Sequence, residues 1–328
     1  MDNSSHLSVV LDLSPAQWYQ SPLSLDSFLA QLLVFLNAHI ALKHDNSLAV
    51  FGALPDKSVM LYASSEPPMD TPATSDPNCY PPFKRLDSAV TARISEQLED
   101  PLLDVTTPSA IVGALTKALC YINRLSVATG LVDPRILILS VSPDLSNAYI
   151  PIMNSIFSAQ KLKVTIDAGQ IYGPDTVFLQ QAAHLTGGSY LHLTETSALL
   201  QYLIMTFLPP PSIRKVIAVP TQDKIDFRAA CFCHKNIVDI GFVCSVCLSI
   251  FCQPTPVCST CRTKFPIKTL QRLNASRPLT ISSANNSARP TPVSTPRSAA
   301  TAARHPPMSA ESIQNGSGTS AVANGSGH

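Results

Sequence analysis

Arg135-Ile136-Leu137-Ile138-Leu139-Ser140-Val141 is an apolar run with no polar alternation. A strand of that composition needs cover on both faces, which is the environment of a central strand in a parallel sheet. The segments on either side alternate in type. Upstream, His6-Leu7-Ser8-Val9-Val10-Leu11-Asp12 reads as a buried strand ending on an acid, with a polar loop through Pro15 behind it. Residues 25–43 place Leu25, Phe28, Leu29, Leu32, Leu36 and Ile40 at spacings of three and four behind a Ser24 N-cap, an amphipathic helix. Residues 47–53 and 58–62 are strand-length runs joined by Leu54-Pro55-Asp56-Lys57, a hairpin. Helices are expected over 88–99 and 109–126, the second with a stripe of Ile111, Leu115, Leu119, Ile122 and Leu125. Downstream the pattern predicts helix 147–161, strand 163–168, helix 176–186, strand 189–193 and helix 196–207.

Alternation of this kind predicts a doubly wound, mostly parallel α/β domain over residues 1–208, because each parallel crossover needs a helix to pack back on the sheet. The chain has 328 residues, 45% apolar and 14% charged, a globular composition. Its 28 prolines against 12 glycines point to linker or tail as well. Residues 65–83, with Pro67-Pro68, Pro72, Pro77 and Pro81-Pro82, read as an insertion loop. Pro209-Pro210-Pro211 closes the domain and opens a linker over 209–228, since three prolines stop a helix. A Cys-rich module follows at 229–274. Residues 275–328 contain no Phe, Trp or Tyr and are expected to be a disordered tail.

The formal net charge of +1 hides a division: −8 over residues 1–208, +6 over 209–274 and +3 over 275–328. An acidic body is joined to a basic module. No uninterrupted apolar run approaches the roughly eighteen residues of a membrane span. The N-terminus has an acid at Asp2 and lacks a basic n-region, so a cytosolic or nuclear compartment is expected.

Of nine cysteines, seven fall between Cys231 and Cys261. In a reducing compartment that clustering indicates metal before disulfide. Cys244-x2-Cys247 and Cys258-x2-Cys261 are two chelating knuckles whose four thiolates suit one tetrahedral, structural Zn2+. Cys231, Cys233, His234 and Cys252 form a candidate second set, interleaved with the first as in a cross-brace. Arg228, Lys235, Arg262, Lys264, Lys268 and Arg272 open a nucleic-acid reading. Thiolates reduce the positive charge by about 2 per Zn2+ site, which favours an acidic protein surface over direct phosphate contact.

Asp12-Leu13-Ser14 lies at the carboxyl end of the first strand, where doubly wound folds bind ligands. It resembles the Asp-x-Ser-x-Ser corner by which von Willebrand factor A (vWA) domains hold Mg2+. Ala16 replaces the last serine, Pro15 alters the loop, and Thr106, Thr107 and Asp144 suit the remaining positions only loosely, so a Mg2+ site is not expected. Asp12→Ala is expected to be tolerated where Cys247→Ser is not. His184 and His192 join no catalytic set, no nucleophile elbow, Walker loop or His-Glu-x-x-His motif occurs, and Thr186-Gly187-Gly188 is a helix-to-strand turn.

The incomplete corner, the sheet domain ending near Leu208, Ala230-Cys231-Phe232-Cys233-His234 and the run Val243 to Cys252 resemble one family. It is the small vWA and zinc-finger subunit of general transcription and DNA-repair factor IIH. Ile156-Phe157-Ser158-Ala159-Gln160-Lys161 and Thr186-Gly187-Gly188-Ser189-Tyr190 share the likeness, which covers about residues 5–268. The resemblance implies a nuclear, non-catalytic scaffold in promoter opening and nucleotide excision repair. It also implies that the vWA domain binds the RING-like zinc domain of a larger vWA subunit, beside two helicases. Cys244, Cys247, Cys258 and Cys261 match the family's zinc positions. The other classes to distinguish are a DNA-contacting zinc module and a RING-type ubiquitin ligase.

Overall fold

The computed structural model describes residues 5–65, 79–100, 104, 107–130, 133–145, 148–214, 216–217, 225, 227–234, 236–266, 268 and 271–272. Six strands form one sheet: β1 (Ser5–Asp12), β2 (Ser47–Leu54), β3 (Lys57–Ala63), β4 (Asp133–Ser140), β5 (Thr165–Gln170) and β6 (Tyr190–His192). Their order is β3-β2-β1-β4-β5-β6, and every pairing is parallel except the β2–β3 hairpin. β1 and β4 therefore sit side by side at the centre, with Leu7 opposite Arg135 and Leu11 opposite Leu139.

Side chains alternate across the sheet, so each central strand feeds two cores. Leu7, Val9 and Leu11 with Leu137 and Leu139 point to one face, covered by α2 (Leu25–Leu42), α3 (Pro81–Leu98) and α7 (Leu199–Tyr202). Val10 with Ile136, Ile138, Ile166 and Ala168 point to the other, covered by α4 (Ile111–Thr129), α5 (Tyr149–Leu162) and α6 (Val177–Thr186). This is the doubly wound vWA-like architecture expected. Ser24 caps α2 by accepting from the Ser27 amide at 3.3 Å.

Several local expectations change. The loop after Asp12 is helical, α1 (Pro15–Gln20), because Pro15 occupies the first helical position, where its missing N–H has no partner to lose. Pro81 begins α3 in the same way, so this helix starts well before Ser88; residues 66–78 of the proposed insertion lie outside the described residues. The helix over 196–207 runs from a 3-10 turn through α7 into a π turn (Leu203–Phe207). Within the expected linker, the triple proline starts a further helical turn, α8 (Pro211–Arg214). The tail 275–328 lies outside the described residues.

α2 and Ile111–Ala128 of α4 have the length and mean hydropathy of a membrane span, which a search for unbroken apolar runs overlooks. Both lie on the sheet: Phe28, Leu32, Phe35 and Leu36 are buried on one face, and Ala114, Leu115, Ala118 and Ile122 on the other.

Candidate metal centres

After α8 the chain forms a two-stranded hairpin, β7 (Phe242–Val243) and β8 (Ile250–Phe251), around the first Cys-x2-Cys turn. The Cys244 amide donates to the Ser249 carbonyl at 2.9 Å and the Leu248 amide to the Cys244 carbonyl at 3.0 Å. The second turn repeats this, Cys258 to Thr263 and Arg262 to Cys258, each at 2.9 Å. Leu248 and Arg262, each following the second cysteine of its turn, both have φ of 60°. The turns thus aim four sulfurs at one point. Cys244 and Cys261 are 3.7 Å apart and Cys247 and Cys258 3.6 Å, with all four sulfurs within 4.8 Å of one another. A tetrahedral ion with Zn–S bonds of about 2.3 Å separates its ligands by about 3.8 Å, so the set fits a metal ion of that size.

Cys231, Cys233, His234 and Cys252 converge equally, with ligand atoms within 4.8 Å of one another. The Cys233 and Cys252 sulfurs are 3.5 Å apart, and His234 Nδ1 lies 3.2 Å from Cys252 Sγ. Cys252 follows β8 and so lies between the two turns of the first set, which interleaves the clusters. The tight Cys231-x-Cys233 spacing is accommodated because a backbone bridge between Ala230 and Ile237 folds the segment back on itself. Among the described residues these are the two groups of His, Cys, Asp or Glu able to hold a metal ion.

The Ser249 hydroxyl and amide lower the Cys247 thiol to about 6, giving thiolate character. In the second set burial and the neighbouring Cys233 sulfur push Cys252 up to about 11.

The module is tied to the sheet domain. Ala230 and Cys231 are buried, the Ala230 backbone is hydrogen-bonded to Tyr149 on α5, and the Phe227 ring meets His184 on α6 at 5.3 Å between centroids. Arg214 on α8 binds Asp167 on β5, with Nη2 to Oδ2 at 2.8 Å. Buried Arg135 donates to the carbonyls of Phe207 and Pro209, each at 3.0 Å, stopping the last helix with a cation at its carbonyl end. Burial lowers Arg135 to about 10, opposed by Asp167. None of Arg135, Asp167 or Arg214 was assigned a site role from sequence; for Arg135 and Asp167 the signal was a charged residue inside an apolar strand pattern, and Arg214 on α8 carried no such signal.

The Asp12 corner has its own partners. Asp12 Oδ2 accepts from the Ser142 amide at 2.9 Å, the Val141 amide at 3.1 Å and the Ser140 hydroxyl at 3.3 Å, while Oδ1 accepts from the Ser14 amide at 3.2 Å. Asp144 Oδ2 accepts from the Phe178 amide at 3.0 Å at the start of α6, and burial raises its carboxyl to about 6. The Thr107 hydroxyl donates to the Asp104 carbonyl, and Thr106 lies outside the described residues. The two carboxylates therefore brace separate loops. The expected tolerance of Asp12→Ala is revised accordingly: the carboxylate completes the junction between β1 and β4.

A vWA-like sheet domain, its Asp12 corner hydrogen-bonded to the β4 loop, joined to two interleaved Cys and Cys/His clusters that could hold metal, defines the class of protein. The sequence profile described as transcription factor Tfb4 matches residues 4–262. The chain is 44% identical over 276 residues to the tfb4 subunit of general transcription and DNA repair factor IIH from Schizosaccharomyces pombe, covering 83% of this chain and 92% of the relative. It is 38% identical over 275 residues to general transcription factor IIH subunit 3 of Dictyostelium discoideum, covering 80% and 74%. The solved N-terminal domain of TFIIH p34 superposes with a TM-score of 0.54 at 30% identity, over 62% of this chain and 98% of that one. This chain belongs to the transcription factor Tfb4 family.

Proposed function

We propose that the chain is a non-catalytic scaffold subunit of the general transcription and DNA repair factor IIH core, acting in the nucleus in RNA polymerase II initiation and nucleotide excision repair. The observation that carries the reading is the 44% identity to the fission-yeast subunit along 92% of that protein's length. The sheet domain (1–208) and the metal module (229–274) are its working parts, with 209–228 between them. Cys244, Cys247, Cys258 and Cys261 would hold one Zn2+, and Cys231, Cys233, His234 and Cys252 a second. Four protein donors leave an ion no open position, so each ion would supply a cross-link for a segment with little apolar core. The vWA face would bind the RING-like domain of a larger vWA subunit, alongside two helicases, with nucleic-acid contact indirect. No membrane partner enters this reading.

The test is affinity purification of the tagged chain from nuclear extract, sized on a gradient and identified by mass spectrometry. Co-migration with two helicases and a second vWA subunit is expected. Migration as a free monomer would overturn the scaffold reading.

A further inference from the structure

The two Cys-x2-Cys turns are a structural repeat with unlike surfaces. Cys244-Ser245-Val246-Cys247-Leu248-Ser249 and Cys258-Ser259-Thr260-Cys261-Arg262-Thr263 share backbone hydrogen bonds and the left-handed residue. Their sulfurs meet in one cluster, so the tips of the two turns adjoin. On the first, Val246 is 64% exposed and Leu248 70% exposed, and exposed Val243 immediately precedes the turn. On the second, Arg262 and Lys264 are exposed, and exposed Lys268 follows. The positions of Leu248 and Arg262 correspond, yet one turn offers a hydrocarbon and the other a guanidinium.

Neither feature is buried. A leucine at positive φ is disfavoured where glycine would be free, and Leu248 gains little from burial. From residue 240 to 272 the chain has no Asp or Glu, so these cations have no acid nearby in sequence; Asp239 pairs with Arg228. A nucleic-acid backbone would match the cations and leave Val243, Val246 and Leu248 unused. Of the module's phenylalanines, Phe232, Phe251 and Phe265 pack in its core, and the two turns contain no aromatic ring to stack on bases.

We infer that the paired turns form a docking surface for an acidic amphipathic peptide segment of a partner protein, its apolar side chains on Val246 and Leu248 and its carboxylates on Arg262 and Lys264. This rests on the scaffold reading and names a surface and partner chemistry for it.

The experiment selects random 15-residue peptides by display against the zinc-loaded full-length chain, then measures a fluorescein-labelled winner by anisotropy. Leu248→Gly and Arg262→Gly remove each side chain while suiting the left-handed backbone, and Lys84→Glu on exposed α3 is the control. Expected are winners with net negative charge and at least two large apolar residues, bound tenfold or more weakly by each glycine variant and equally by the control. The inference is overturned if nothing enriches, if winners are not acidic, or if the glycine variants bind unchanged. It is also overturned if a 20-base-pair duplex DNA displaces the peptide and binds Leu248→Gly as well as the parent, which assigns the surface to phosphates. Gradient co-migration reads the scaffold role separately, so either idea can fail alone.

Discussion

Asp167 on β5 and Arg214 on α8, 47 residues apart in sequence, form an ion pair with side chains 0% and 8% exposed. The pair ties the stretch after the triple proline to β5, and Arg214 also donates to the Phe207 carbonyl at 3.1 Å. Removing one partner of a buried pair leaves the other charge without compensation. Arg214→Ala should therefore lower stability by about 3–5 kcal/mol in urea unfolding of the full chain. A change smaller than about 1 kcal/mol, the range of exposed pairs, would show that the carboxylate is hydrated.

Asp12→Ala should orphan the Ser142 and Val141 amides and the Ser140 hydroxyl, all buried donors. A loss of about 2–4 kcal/mol is expected, with Asp12→Asn less harmful because it keeps one acceptor oxygen. Millimolar Mg2+ should leave the thermal midpoint of the parent unchanged. A rise on adding Mg2+ would reinstate an ion at this corner.

His6 and His39 are buried, and burial lowers each to about 4. Each is neutral in the fold and protonates more readily unfolded, where its value is 6.5. Their contribution is complete above pH 6.5 and is lost as pH falls toward 4, at about 1.4 kcal/mol per histidine for each pH unit of that window. His6→Gln should flatten the stability profile across that window. An unchanged slope would mean that His6 does not titrate with unfolding.

Metal analysis of the purified chain should find about two zinc equivalents, from two four-donor sets. Cys233→Ser should remove one equivalent and leave the Cys244 set loaded, while Cys258→Ser should remove the other. One equivalent in the parent would restrict the metal to a single set and also exclude a cross-braced ligase. Chelation should unfold the module and lower the circular dichroism of the full chain, while the sheet domain still melts cooperatively.

Much of this was legible because the forces are local. The stripe from Phe28 to Ile40 marks α2, and the unbroken run from Ile136 to Val141 marks a strand covered on both faces. Pro15 and Pro81 misled because proline reads as a breaker until the position of the helix start is known. Arg135 was visible at the head of the central run. Its role was not, because its acceptors, the carbonyls of Phe207 to Pro209, lie more than 70 residues away.

By itself the sequence determined the alternation of strand and helix and the existence of two chelating knuckles, since periodicity and Cys-x2-Cys spacing act within one or two turns of chain. The sequence also offered Cys252 as the partner of Cys231, Cys233 and His234, which the fold brings together; only the tertiary structure decided that Asp12 turns its carboxylate to the β4 loop and that Arg214 reaches Asp167. Those outcomes depend on which distant segments the folded sheet brings together. Burial then sets their strength, because an unpaired charge or amide is costly only where water is excluded.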